Sequence, residues 1–132
     1  MATYVLIHGA YQGGWIWGPT AARLRAAGHV VHARSLDGCG ERRHQLRSGI
    51  TVETQAAELA ALLFYEDLKD VVLAGTSAGG MVACRVAELA HERIGRLVFI
   101  DALALLDGER IAEIVSRPTP RVTTALAVGP SR

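Results

Sequence analysis

A short apolar segment, Val71-Val72-Leu73-Ala74, runs directly into Gly75-Thr76-Ser77-Ala78-Gly79-Gly80 and then into a stretch with helical spacing. Strand, G-x-S-x-G and helix in that order describe a nucleophile elbow, a turn so tight that its serine is strained and stands exposed at the mouth of the helix. Glycine on both flanks is what such a turn demands, because a side chain there would run into the neighbouring strand or helix. Ser77 is therefore the candidate nucleophile. The plain alternative is a glycine-rich strand-to-helix connection without chemistry, and the legible strand and helix around the motif argue against it.

A hydroxyl near neutral pH needs a base to take its proton, and in sites of this kind the chain order is Ser, then acid, then His. After Ser77 the one histidine is His91, fourteen residues on. It falls at the end of the helix that the elbow starts, which carries it away by about 1.5 Å per residue. His91 is thus excluded as the base. The general base, and the acid with it, are expected on a further segment or on a separate chain.

Composition narrows the remaining classes. The chain has 132 residues, half of them apolar, which suits one domain with a proper core. Fourteen basic residues against thirteen acidic leave a formal charge of +1, with no basic stripe to follow a phosphate backbone, so nucleic acid is not an expected partner. Apolar runs fall far short of the ~20 residues of a membrane span, and the chain enters its first strand without a charged leader. A cytoplasmic protein is expected. Cys39 and Cys84 have no metal or disulfide spacing and read as reduced thiols, Cys84 as a small buried residue; neither metal nor organic cofactor is implied.

The elements alternate. Thr3–Ile7 reads as a buried strand ending at His8-Gly9-Ala10. Trp17, Ala21 and Leu24 recur at helical spacing, with Pro19 in the first turn and Gly28 as the stop. A second strand is predicted at 30–33, and 35–50, rich in Gly and Arg, reads as a loop. Thr51 is the N-cap of a helix with the stripe Val52, Ala56, Leu59 and Leu63. A third strand is predicted at 71–74, then the elbow helix with Val82, Val86 and Leu89 inward and Arg85, Glu88 and Glu92 outward, then a fourth strand at 97–100. Continuous apolar strands between amphipathic helices specify an α/β fold, a mostly parallel sheet with helices on both faces. Residues 1–102 read as the N-terminal half of such a core and 103–132 as the start of a cap or linker, with a helix over 108–115.

Acyl transfer requires two backbone N–H groups aimed at the developing oxyanion. Ala78, directly after the nucleophile and at the helix start, supplies one. The second is expected from the loop after the first strand, at Ala10, with Tyr11 next. Taken together, Val5-Leu6-Ile7-His8-Gly9-Ala10-Tyr11-Gln12-Gly13-Gly14-Trp15, Leu36-Asp37-Gly38-Cys39-Gly40-Glu41-Arg42, Val71 through Met81 around the elbow, and Arg96-Leu97-Val98-Phe99-Ile100-Asp101-Ala102 make the chain resemble α/β-hydrolase-fold proteins. The resemblance is to the N-terminal half of the small-esterase branch, which holds bacterial carboxylesterases, plant salicylate-type methyl esterases and hydroxynitrile lyases. It implies a domain about twice this length, with acid and histidine after later strands. Many relatives carry His where this chain has Thr76, a change read as tolerable. His8-Gly9-Ala10 follows the esterase form rather than the lyase form.

Asp101 ends the fourth strand, where a minority of this fold keeps its acid; the plain reading is a strand-end aspartate. Tyr11, Trp15 and Thr76 are candidate substrate-pocket residues. His8 is read as shaping the oxyanion loop, His44 as exposed, and Glu41 and Arg42 as pairing with each other or with the loop backbone. The resulting expectation is a serine hydrolase of small carboxylic esters working through an acyl-enzyme on Ser77, completed by a second chain or C-terminal segment. A ligand-binding homologue with little activity, an inactive fragment and a hydroxynitrile-lyase-like enzyme are the alternatives.

Overall fold

The first and third strands owe their burial to runs of β-branched and aliphatic residues, while the second buries only Val31. β1 (Thr3–Ile7), β2 (Val30–His32), β3 (Val71–Ser77) and β4 (Ile94–Ala102) form one parallel sheet in the order β2-β1-β3-β4. The computed structural model describes residues 1–102; the expected cap or linker and the helix over 108–115 lie outside the described residues.

Alternation along each strand feeds two cores. Val5, Ile7, Val71 and Leu73 face the cluster beneath α2 (Val52–Tyr65) and α3 (Gly79–Leu89), together with Leu59, Leu63, Val82 and Val86. Leu6, Val31 and Ala74 face the opposite cluster, with Trp17 and Ala21 of the segment leading through α1 (Gly18–Ala26). Helices therefore cover both faces, as a parallel sheet requires.

Local signals act where the sequence set them. Pro19 occupies the first turn of α1, and Gly28 adopts φ +93° just past its end, the left-handed stop that only glycine adopts without strain. Thr51 accepts from Thr54 N–H while Thr51 N–H donates to the Thr54 hydroxyl, a reciprocal cap at the start of α2.

Several boundaries differ from expectation. β2 stops at His32, β3 runs on through Ser77, and β4 spans nine residues, Ile94–Ala102. Leu89, expected inward, is 39% exposed; the stripe passes from Val86 to Ala90, four residues on, and Ala90 is buried. Cys84 is half-buried rather than buried. The expected 35–50 loop contains a 3-10 segment, Gly40–Gln45. Among the described residues no helix is long and apolar enough to cross a membrane.

Candidate active site

β3 carries Ser77 out of the sheet at its last position and α3 begins two residues later. Ser77 is exposed and holds φ +52°, a left-handed backbone that costs an L residue about 1–2 kcal/mol. The flanking glycines are required sterically. A Cβ on Gly75 would lie 2.6 Å from the Gly79 carbonyl oxygen, and one on Gly79 would lie 2.7 Å from that of Ile7 on β1. The turn is thus wedged between its own helix and the adjoining strand.

The loop after β1 closes over the serine. A Cβ on Gly9 would stand 2.8 Å from Ser77 Cβ and 3.3 Å from its Oγ, so this glycine lets the loop backbone approach the hydroxyl. Gly9 N–H donates to Gln12 Oε1 at 2.7 Å and is spent. The Ala10 and Ala78 N–H groups donate to no other group among the described residues. Both residues line a cavity of about 670 Å³, the size of a small-molecule site. Tyr11 and Trp15, both exposed, line it too; Thr76 does not, being paired with Ile100 in the β3–β4 ladder.

His8 is fully buried and uses both ring nitrogens. Leu36 N–H donates to Nε2 at 2.9 Å, so Nε2 is unprotonated and the Nδ1–H donates to the Gly9 carbonyl at 2.8 Å. The imidazole ties the loop after β1 to the loop after β2. It has no nitrogen left to take a proton from Ser77. Burial pushes its pKa down. An unfolded chain would take up a proton near pH 6.5 that the folded one resists, so stability should be full above that pH and fall as pH drops below it. His8→Ala orphans two backbone partners and opens a cavity. It should cost about 3 kcal/mol and abolish that slope, which urea unfolding at pH 7.5 and 5.5 measures.

The loop after β2 is held by a polar network that the sequence only partly disclosed. Ser35, fully buried, accepts from Gly14 N–H at 2.8 Å and donates to Glu41 Oε1 at 2.6 Å. Arg42 does not pair with Glu41; it grips both Glu58 oxygens on α2 (2.7 and 2.8 Å) and donates to the Ser35 carbonyl. Arg47 holds both oxygens of Asp37, at 3.2 and 2.8 Å. Its hydrogen bond, before any longer-range charge effect, keeps the Asp37 carboxyl below the usual range. His44 is exposed, as expected.

The other candidates separate. His91 is in a 3-10 turn beyond α3, exposed and 3.4 Å from Glu92, so the exclusion drawn from helix length agrees with its position. Asp101 is the extra residue of a bulge on β4: Thr76 pairs with Ile100 and Ser77 with Ala102, leaving Asp101 between them at φ +48°. It is exposed at the strand end beside the elbow. No cluster that could hold a metal ion occurs among the described residues.

This fold is matched in known proteins. The chain belongs to the alpha/beta hydrolase family, which it matches over residues 4–131. It is similar to a carbendazim hydrolyzing esterase of Nocardioides sp. (strain SG-4G), 37% identical over 129 residues, covering 98% of this chain and 53% of that protein. An alpha-hydroxynitrile lyase of Arabidopsis thaliana is 33% identical over 100 residues, covering 75% of this chain and 39% of that one. Among solved structures, an extracellular alpha/beta-hydrolase from a Paenibacillus species superposes with a TM-score of 0.79 at 33% identity, covering 96% of this chain and 49% of that one. The chain spans about half the length, or less, of the relatives it matches.

Proposed function

We propose that this chain supplies the nucleophile and oxyanion hole of a serine esterase acting on small carboxylic esters. Ser77 Oγ attacks the ester carbonyl, the alcohol leaves with a proton, and water then hydrolyses the acyl-enzyme. The Ala10 and Ala78 N–H groups stabilise the oxyanion, and the α3 dipole adds to the second. The observation that carries this reading is a strained, exposed serine whose chain neighbour Ala78 and facing-loop residue Ala10, both with uncommitted N–H groups, line one cavity.

The general base is a histidine outside these 132 residues, on the same polypeptide or on a separate chain. The acid accompanies it, with Asp101 as the alternative, since its bulge lies beside Ser77 in the strand register. Cofactor and metal have no part in this mechanism, and the partners are the ester and the completing segment.

Incubating the complete protein with a fluorophosphonate should attach one phosphonyl group to Ser77, located by peptide mass spectrometry. Absence of that adduct while the fold is intact would refute the nucleophile assignment. Labelling that survives Asp101→Asn at an unchanged rate assigns the acid elsewhere.

A further inference from the structure

At neutral pH the cavity beside Ser77 carries a single formal charge among its described wall residues, the guanidinium of Arg43. No aspartate or glutamate lines it, and its two other titratable side chains near neutrality are uncharged: burial lowers the His8 pKa and raises that of Cys39. Most of the wall is apolar, with Tyr11, Trp15, Leu46, Met81 and Val82 contributing. A single cation in such surroundings is a means of selecting ligands.

Arg43 differs from the arginines next to it. Arg42 is bound to Glu58 and Arg47 to Asp37, each through two hydrogen bonds. The Arg43 side chain makes no hydrogen bond or ion pair with any described residue, and Glu41, the nearest acid in sequence, is committed to Ser35. Its backbone is nonetheless well anchored. Arg43 lies within the 3-10 segment Gly40–Gln45, its carbonyl accepts from Leu46 N–H at 3.0 Å, and both flanking stretches are pinned by the Arg42 and Arg47 pairs. This segment therefore presents the Arg43 cation on the cavity wall while its neighbours Arg42 and Arg47 are neutralised.

We propose that Arg43 is a specificity-determining residue, and that the favoured substrates are esters whose apolar portion ends in an anionic group, a carboxylate above all. The ester carbonyl sits between Ala10 and Ala78, the apolar part runs along the aromatic and aliphatic wall, and the anion meets the guanidinium, whose planar fork suits two carboxylate oxygens. This rests on the esterase reading above and adds the substrate class. Since Arg43 is exposed, the pair is solvent-screened and its contribution is moderate.

The test compares mono-4-nitrophenyl adipate with 4-nitrophenyl hexanoate, equal in acyl length and differing in the terminal carboxylate, as the ratio of kcat/KM values in the complete protein. The ratio should favour the adipate, fall roughly fivefold in Arg43→Ala, be largely retained in Arg43→Lys, drop further in Arg43→Glu, and decline with added salt. A ratio unmoved by Arg43→Ala and Arg43→Glu overturns the proposal. Binding of adipic acid monoamide and hexanamide to Ser77→Ala, followed through the exposed Trp15, needs no turnover. An Arg43-dependent preference there, with no hydrolysis by the parent protein, would uphold the anion subsite and sink the esterase reading; turnover without any such preference would do the reverse.

Discussion

Ser77→Ala in the complete protein is expected to lower ester kcat by about 10⁴-fold or more, because in the proposed mechanism Ser77 alone forms the acyl-enzyme and only oxyanion stabilisation and binding remain. The fold should hardly respond, since alanine suffers the same left-handed backbone as serine at φ +52°. Ser77→Gly separates chemistry from strain. It should be equally inactive yet more stable by up to about 1 kcal/mol, as glycine accepts that backbone without the Cβ clash. Initial rates on an aryl ester and thermal unfolding of the three proteins give both comparisons. More than a tenth of the parent activity in Ser77→Ala would remove Ser77 from the mechanism. A Ser77→Gly protein less stable than the parent would show that the elbow is not under strain.

The elements most legible in the sequence are those whose cause is local. The elbow was readable because the steric demand of Gly75 and Gly79 acts within a few residues, and the α2 start because Thr51 and Thr54 cap each other three positions apart. Apolar continuity identified the parallel sheet with helices on both faces. It could not give the extent of β4, whose described residues are half-buried or exposed, so that the burial signal used to bound the other strands is weak there. Leu89 was misjudged because apolarity alone does not say which of two neighbouring residues, Leu89 or Ala90, continues the inward stripe.

The site divides in the same way. The candidates Ser77, Ala10 and Ala78 are read from the order of strand, loop and turn. The residues that stiffen the surroundings do not, because their partners are remote: His8 reaches Leu36 across 28 positions, and Arg42 reaches Glu58 across 16. A run of four consecutive charged or titratable residues, Glu41-Arg42-Arg43-His44, reads as a solvated loop from sequence. Only geometry separates Arg42, locked onto α2, from Arg43 on the cavity wall. The role of Gln12 is hidden in the sequence for a related reason. An amide among glycines carries no signature until its oxygen is found capping Gly9 N–H, the donor that would otherwise compete with Ala10 for the oxyanion.

Residues 1–132 prepared without any completing segment are expected to hydrolyse an aryl ester at least 10⁴-fold more slowly than the complete protein. The sequence contains five histidines, at 8, 29, 32, 44 and 91. His8 has both nitrogens engaged, and the Nδ1 of His29 accepts from Ala2 N–H at the start of β1, the opposite end of that strand from the oxyanion loop. His32 closes β2, the strand separated from β3 by β1. His44 is not among the residues lining the cavity beside Ser77, and His91 lies beyond the eleven-residue α3, roughly 16 Å along the axis from the elbow. On the proposed division none of them accepts the Ser77 proton, and without that transfer a serine hydroxyl is a weak nucleophile at neutral pH. Adding the completing segment in trans should restore turnover, and changing each of its histidines in turn should identify the base as the one whose loss abolishes that rescue. Enzyme-like ester hydrolysis by residues 1–132 alone, lost in Ser77→Ala, would mean that one of these five histidines moves into reach, and would overturn the proposed division of the catalytic groups.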